Sequence, residues 1–173
     1  MFDNLTQDEL NFILNSSTKD KILHEILKNN TDEKFHLMCV DKDAYDIQYI
    51  KNPSMDIQLT AVKRCGWSIK FIEHQSEQLQ LLAIGRDASS LKFIKHPTEK
   101  VQKKAIKQYF GYITNIKNPS DDIIEYTKQQ KRIQEKHIQK NRLQEKERGT
   151  QHVPDYEIKT ITLKVENKIV TID

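Results

Sequence analysis

DKDAYDIQYIKNPSMDIQLTAV (residues 41–62) is followed by KRCGWSIKFIEHQSEQLQLLAI (63–84), GRDASSLKFIKHPTEKVQKKAI (85–106) and KQYFGYITNIKNPSDDIIEYTK (107–128), and the four align without a gap at a period of 22 residues. Self-similarity at such a period marks a solenoid or related array. Each unit is a supersecondary brick that cannot bury its apolar face alone, so it must lean on the next.

The recurring positions read as two short helices per unit. Ile47, Ile69, Leu91 and Ile113 are followed three residues later by Ile50, Ile72, Ile94 and Ile116, with Tyr49, Phe71 and Phe93 in the neighbouring slot. This i, i+3 spacing predicts the apolar face of a first helix. Pro53, Pro97 and Pro119 are expected to end that helix, and Ser54, Ser76, Thr98 and Ser120 to cap the next. Asp56, Glu77, Glu99 and Asp121 suit the positive end of its dipole. The second helix carries Ile57, Leu79, Val101 and Ile123, then the small residues Ala61, Ala83 and Ala105, then Val62, Ile84 and Ile106. A small residue held at one place in three units predicts close backbone approach there. Gln58, Gln80 and Gln102 recur too, and a helix-surface or inter-repeat hydrogen bond is their expected use.

Outward from this block the pattern fades. Phe35, Leu37 and Val40 align with Ile57, Leu59 and Val62 after one insertion near Thr31, which makes residues 1–40 a capping region with a degenerate repeat; Thr6, Gln7, Asp8 and Glu9 form a capping box that predicts an opening helix over about residues 7–15. At the far end Asn115 replaces the aromatic and Thr127 the alanine, so the array is expected to run over 41–128 and stop. Residues 129–153 then form a basic helical extension and linker, and 154–173 a hairpin. The stretch 128–149 holds eight Lys or Arg against three Glu, with good helix formers and no proline. Ile161, Leu163 and Val165 alternate with polar residues, as do Val170 and Ile172, which predicts two β-strands. Two strands alone are marginal in water, so the hairpin needs the repeat stack, its twin in a homodimer, or a target's sheet edge as partner.

The residues of the units, with their I-K-N-P-S-x-x-x-Q-x-x-A-V core, resemble the HEAT and armadillo class. More closely they are similar to an abbreviated relative: short repeats of unknown function in proteins of large DNA viruses, phages and bacteria. The resemblance covers residues 41–128, and 19–40 in weakened form. It implies a mainly α fold, a right-handed α-α superhelix of short helical pairs, and carries over no catalytic residue. Gln75 in place of proline and the eroded fourth unit depart from the pattern.

Composition fits a thin core: 36% of residues are hydrophobic, 31% are charged and the mean hydropathy is −0.74. Four glycines and four prolines are too few for the turns of an all-β fold. MFDNLTQDEL has neither the basic start nor the apolar run of a signal peptide, and no segment is apolar enough for a membrane span, so a cytoplasmic protein without membrane contact is expected. Cys39 and Cys65 stand at unrelated repeat positions and are expected as reduced thiols. The six histidines (His24, His36, His74, His96, His137 and His152) never take ligand spacing, and no glycine-rich phosphate loop, HExxH or GxSxG occurs. The expectation is a chain that is no enzyme and holds neither cofactor nor metal. An enzymatic reading would need a carboxylate beside aromatics, such as Asp43, Asp46 or Asp87 near Tyr45 and Trp67.

What remains is surface. Stacking would turn equivalent residues into ladders: Lys42, Arg64 and Arg86 after the second helix, and Lys51, Lys95 and Lys117 on the loops, interrupted by Glu73. Of these, Arg64, Arg86, Lys51, Lys95 and Lys117, together with Lys131, Arg132, Lys136, Lys140 and Arg142 of the basic extension, are the candidate partner-binding residues. Residues 41–127 hold 13 basic and 11 acidic side chains, a balance unlike that of a committed nucleic-acid binder. The leading expectation is a protein-interaction scaffold for a protein or ribonucleoprotein, an accessory protein of a phage or mobile element that inhibits a host complex in the manner of an anti-CRISPR protein. The alternative is binding of DNA or RNA through the basic ladders and the 128–148 helix.

Overall fold

Each 22-residue period is one short 3-10 helix followed by one α-helix in the computed structural model, which describes residues 19–147, 161–165 and 168–172. The elements run α1 (Lys19–Asn29), α2 (Glu33–Lys42), η1 (Ala44–Tyr49), α3 (Met55–Arg64), η2 (Gly66–Phe71), α4 (Glu77–Arg86), η3 (Ala88–Phe93), α5 (Glu99–Gln108), η4 (Phe110–Asn115) and α6 (Asp121–Glu147), then strands β1 (Ile161–Val165) and β2 (Lys168–Ile172), with η denoting a 3-10 helix. The fold is thus mainly helical. It divides into two compact units, residues 1–95 and 96–173. The opening helix expected over 7–15, residues 148–153 of the extension and linker, and residues 154–160, 166–167 and 173 of the hairpin segment lie outside the described residues.

The caps fall where the sequence places them. The hydroxyls of Ser54, Ser76 and Thr98 accept from the backbone N–H three residues on, at 3.4 Å in each case, and Ser120 from Ile123 at 3.3 Å. Asp32 caps α2 through the N–H two residues on, accepting from Lys34 at 2.9 Å, so the degenerate first repeat starts at the position equivalent to Ser54.

The first helix of each unit is where the i, i+3 spacing meant something narrower than an α-helix. Six residues at 3.0 per turn eclipse side chains three apart. The apolar pair itself closes the last turn: Ile50 N–H donates to Ile47 O at 3.2 Å, Ile72 to Ile69 at 3.1 Å, Ile94 to Leu91 at 3.1 Å and Ile116 to Ile113 at 3.0 Å. The prolines do not end this helix, contrary to expectation. Its last residue is four positions earlier, and Ile50, Ile72, Ile94 and Ile116 are already extended. Proline instead precedes the N-cap, where its carbonyl has a use. The side-chain amides of Gln58 and Gln102 donate at 2.8 Å to Pro53 O and Pro97 O, and Gln80 makes the same bond to Gln75 O. The recurring glutamine therefore ties each turn to its own helix.

In unit 1 consecutive α-helices α2, α3 and α4 pack side by side, as do η1, η2 and η3, and every α-helix also touches the flanking 3-10 helices. Ala61 and Ala83 are fully buried at the α-helix contacts, with Cys39 at the equivalent place in α2. The backbone of one repeat also approaches the next closely at Gly66, where an added Cβ would stand 2.7 Å from Ala83 O and 2.8 Å from Ser90 Oγ. Ser68 and Ser90, equivalent positions, are fully buried with hydroxyls that meet no hydrogen-bond partner.

Gln75, the departure from proline, is a bracket between neighbouring repeats. Its Nε2 donates to Ile69 O at 2.9 Å and to Phe93 O at 3.1 Å, while its Oε1 accepts from Lys95 N–H at 2.9 Å. Two backbone groups of the next turn are thus held by one side chain.

In unit 2, α5 packs on η4 and on α6, which is one continuous helix of 27 residues. Thr127, at the alanine position, stays buried by turning its hydroxyl onto Ile123 O at 2.7 Å. Strands β1 and β2 pair antiparallel, with Ile161 opposite Ile172 and Leu163 opposite Val170. Ile172 is buried and β1 lies against η4. No helix among the described residues is long and apolar enough to cross a membrane.

Candidate interaction face

Three side-chain rows follow from the 3-10 period in unit 1. Ala44, Ile47 and Ile50, with their equivalents Gly66, Ile69, Ile72 and Ala88, Leu91, Ile94, form the buried row. Asp46, Ser68 and Ser90 lie buried on a second row that ends at the half-buried Tyr49, Phe71 and Phe93. The third row faces out: Tyr45, Gln48 and Lys51; Trp67, Lys70 and Glu73; Ser89, Lys92 and Lys95. Its first member is half-buried each time and the other two are exposed. Eclipsing at 3.0 residues per turn places Lys70 and Lys92 directly above positions 67 and 89, and from there each lysine reaches the aromatic of the preceding repeat, Lys70 over Tyr45 and Lys92 over Trp67.

The aromatics interlock between neighbouring repeats. Tyr45 meets Phe71 edge-on at 5.8 Å between ring centres and Trp67 meets Phe93 at 5.5 Å, the T-shaped geometry that ring quadrupoles favour. His24 of α1 stacks on Tyr49 at 3.5 Å and extends the strip toward the capping region. Lys70 Nζ stands 4.9 Å from the centre of Tyr45 and 4.5 Å from that of Phe71. Lys92 Nζ stands 4.1 Å from Trp67. Both ammoniums share Phe93, at 5.8 and 4.8 Å.

Polar groups fix this strip. Trp67 Nε1 donates to Ser89 Oγ at 2.8 Å, and Ser89 N–H to Asp87 Oδ1 at 2.8 Å. The Ser89 hydroxyl is the main cause holding the Asp87 carboxyl below the usual carboxylate range, aided by the Trp67 indole and the Lys92 charge. Cys65 Sγ donates to the Tyr45 hydroxyl at 3.6 Å, and that bond, with burial behind it, pushes the phenol above 10.0. Asp43 and Asp87, two of the carboxylates an enzymatic reading would have needed, accept from Tyr45 and Ser89 N–H and so cap η1 and η3. Among the described residues no group of three or more His, Cys, Asp or Glu could hold a metal ion.

The candidate residues fall into distinct environments. Lys42, Arg64 and Arg86 are exposed in the last turns of α2, α3 and α4, where cations suit the helix dipole. Lys51 is exposed beside a cleft of about 490 Å³ that Lys28, Glu33, His36 and Asn52 also line. Lys95 is exposed, but its Nζ reaches Glu73 O at 3.3 Å, so lysine and interrupting glutamate are neighbours. Lys117 is exposed in unit 2. Arg132, Lys136 and Lys140 are exposed at helical spacing on one face of α6, and Arg142 is half-buried.

Lys131 does not belong with them. Although it sits in the basic run, it is only 3% exposed, its Nζ donates to Ile172 O at 3.2 Å, and Glu135 lies 3.7 Å away. It ties α6 to β2 and is not available to a partner. The turn position shared by Asn52, His74, His96 and Asn118 splits as well, since the two asparagines take positive φ of 52° and 51°, which Asn tolerates best among non-glycine residues.

Sequence reasoning missed Lys70 and Lys92. They recur at 22 residues beside Trp67 and Ser89, but the rings they cover, Tyr45 and Trp67, belong to the preceding repeat, 25 residues earlier. No family model, curated protein or solved structure matches the chain, so its likeness to short helical repeats stands on the residues of the repeat alone.

Proposed function

We propose that the chain is a non-enzymatic protein-interaction scaffold, a superhelix of short helical pairs whose outward 3-10 row is the docking face. The observation that supports this most is the strip itself: Trp, Tyr and Phe side chains interlocked edge to face, half-exposed and overlaid by Lys70 and Lys92. Rigid aromatics beside cations are the anchors that dominate protein interfaces. Base stacking fits less well, because lysine ammoniums already cover the ring faces that a nucleobase would need. The likeness to viral and phage repeats extends the reading to a cytoplasmic accessory protein that binds and inhibits a host complex, as an anti-CRISPR protein does. Affinity capture from nuclease-treated host lysate tests it. Partners held by the wild-type chain and lost by Lys70→Glu/Lys92→Glu are expected, and identical capture by both would refute it.

A second reading, DNA or RNA binding, draws on the exposed Arg132, Lys136 and Lys140 stripe of α6. It predicts a gel shift that weakens steeply with salt. No shift at low ionic strength removes it.

A further inference from the structure

Resting on the scaffold reading, we infer that the strip in unit 1 takes an extended acidic polypeptide segment whose carboxylates recur every second or third residue. Lys70 and Lys92 stand over the same Phe93 ring, 5.8 and 4.8 Å from its centre, so their ammoniums are at most roughly 11 Å apart. Two like charges held so close favour a partner that brings two anions at the same spacing. An extended strand advances about 3.3 Å per residue, and a polyproline II helix about 3.1 Å with three residues per turn. Carboxylates two or three residues apart in such a chain are separated by about 7 to 10 Å, within the upper bound that the shared ring sets on the two ammoniums.

Charge and contour support the same occupant. The outward row carries Lys51, Lys70, Lys92 and Lys95 against the single carboxylate of Glu73. Phe93 lies near both cations, Tyr45 near Lys70 and Trp67 near Lys92, and these half-buried rings offer apolar contact to the residues spaced between acids. Asp87 sits beside Trp67 and Lys92 as an ionised carboxylate and sets an anionic rim at one side, so the acids of the segment meet the site on the side of Lys70 and Lys92. A polyproline II chain loses little conformational freedom on docking to such aromatics.

The chain's one tryptophan, Trp67, lies in this site, so intrinsic fluorescence reports occupancy directly. The full chain is titrated with the synthetic peptides (Glu-Pro-Pro)4 and Glu4Pro8, which have one composition and different spacing. The expected result is a saturable Trp67 change with the spaced peptide, at an affinity at least tenfold above that for the block peptide, weakened by salt. Lys70→Gln/Lys92→Gln, at exposed positions and checked for an unchanged melt, should lose the response at least tenfold. No response, equal response to both peptides, or an unaffected double variant overturns the inference. A twelve-residue oligothymidylate run in parallel that binds tighter than the spaced peptide also overturns it. These failures leave the scaffold reading standing if lysate capture still depends on Lys70 and Lys92, and remove it if capture does not.

Discussion

Replacing Gln75 by proline restores the residue found at the same place in the other three repeats, and consensus substitution ordinarily stabilises. Here the opposite is expected. Proline cannot replace the amide that donates to Ile69 O and Phe93 O and accepts from Lys95 N–H. Each such bond contributes about 0.5–1.5 kcal/mol net. Gln75 is half-buried and Lys95 exposed, so water can compensate part of the loss, and Gln75→Ala should cost about 1–3 kcal/mol. Proline returns about 0.4–1 kcal/mol by restricting the unfolded chain, which at the centre of both ranges leaves Gln75→Pro about 1.3 kcal/mol below wild type. Urea denaturation measures the total, and a thermal melt should fall by about 4–8 °C per kcal/mol for a unit of this size. Amide exchange localises it: the Lys95 N–H should exchange faster in both variants, because its acceptor is the missing Oε1. A proline variant as stable as wild type, or an unaltered Lys95 amide, would show that the bracket contributes nothing.

Ser68→Ala and Ser90→Ala remove fully buried hydroxyls that meet no partner, so urea midpoints should hold or rise, by up to about 1 kcal/mol, and a loss larger than that would mean the hydroxyls are bonded. Lys131→Ala deletes the bond to Ile172 O and the stem beside Phe110; a cost of about 1.5–3 kcal/mol in unit 2 and faster proteolysis near the strands are expected, and a melt unchanged within error would count against it. Burial is the main cause that lowers the His36 pKa below the ordinary 6.5, against opposing backbone hydrogen bonds at Leu27 and Asn30. The unfolded chain therefore takes up that proton first, so stability is complete above pH 6.5 and falls as pH drops from there toward the lower folded value. His36→Gln should flatten the urea midpoint over that window, and an identical pH slope in the variant would exclude His36 as its source.

Most of the scaffold was legible because its signals are local. A hydroxyl three residues before the first core position can only be a cap, and Ser54, Ser76, Thr98 and Ser120 are caps. The alanines sit fully buried. The 3-10 character was not legible, since Ile47 and Ile50 share a face in either helix type and six residues are too few to reveal the period. Gln75 looked like erosion of the pattern because its partners, Phe93 and Lys95, are 18 and 20 residues away. Lys131 looked like one more charge of a basic run because nothing in its neighbourhood announces the carbonyl of Ile172, 41 residues on. Gln75 and Lys131 were misread because their partners are distant in sequence, and the prolines because a helix that ends four residues earlier leaves them only the bond from a glutamine five residues on.

The same distinction bears on where recognition resides. In a repeat array, positions that recur in every unit are consumed in holding neighbours together: the isoleucine pair closes the 3-10 turn, the hydroxyl caps, and the glutamine ties the loop. Selectivity has to come from positions that vary. On the outward row of unit 1 the variable pairs are Gln48 with Lys51, Lys70 with Glu73, and Lys92 with Lys95, and the equivalent pair in unit 2 is Thr114 with Lys117. An aromatic floor exists beneath the first member only for Lys70 and Lys92. A lysine over a ring keeps its charge exposed while its stem loses freedom, so less ordering entropy remains to be lost on binding than for Lys51 or Lys117. Removing the floor without touching the charge separates the two contributions. Trp67→Ala should weaken partner capture through Lys92 although every lysine remains, and capture as strong as wild type would mean that the cations alone suffice.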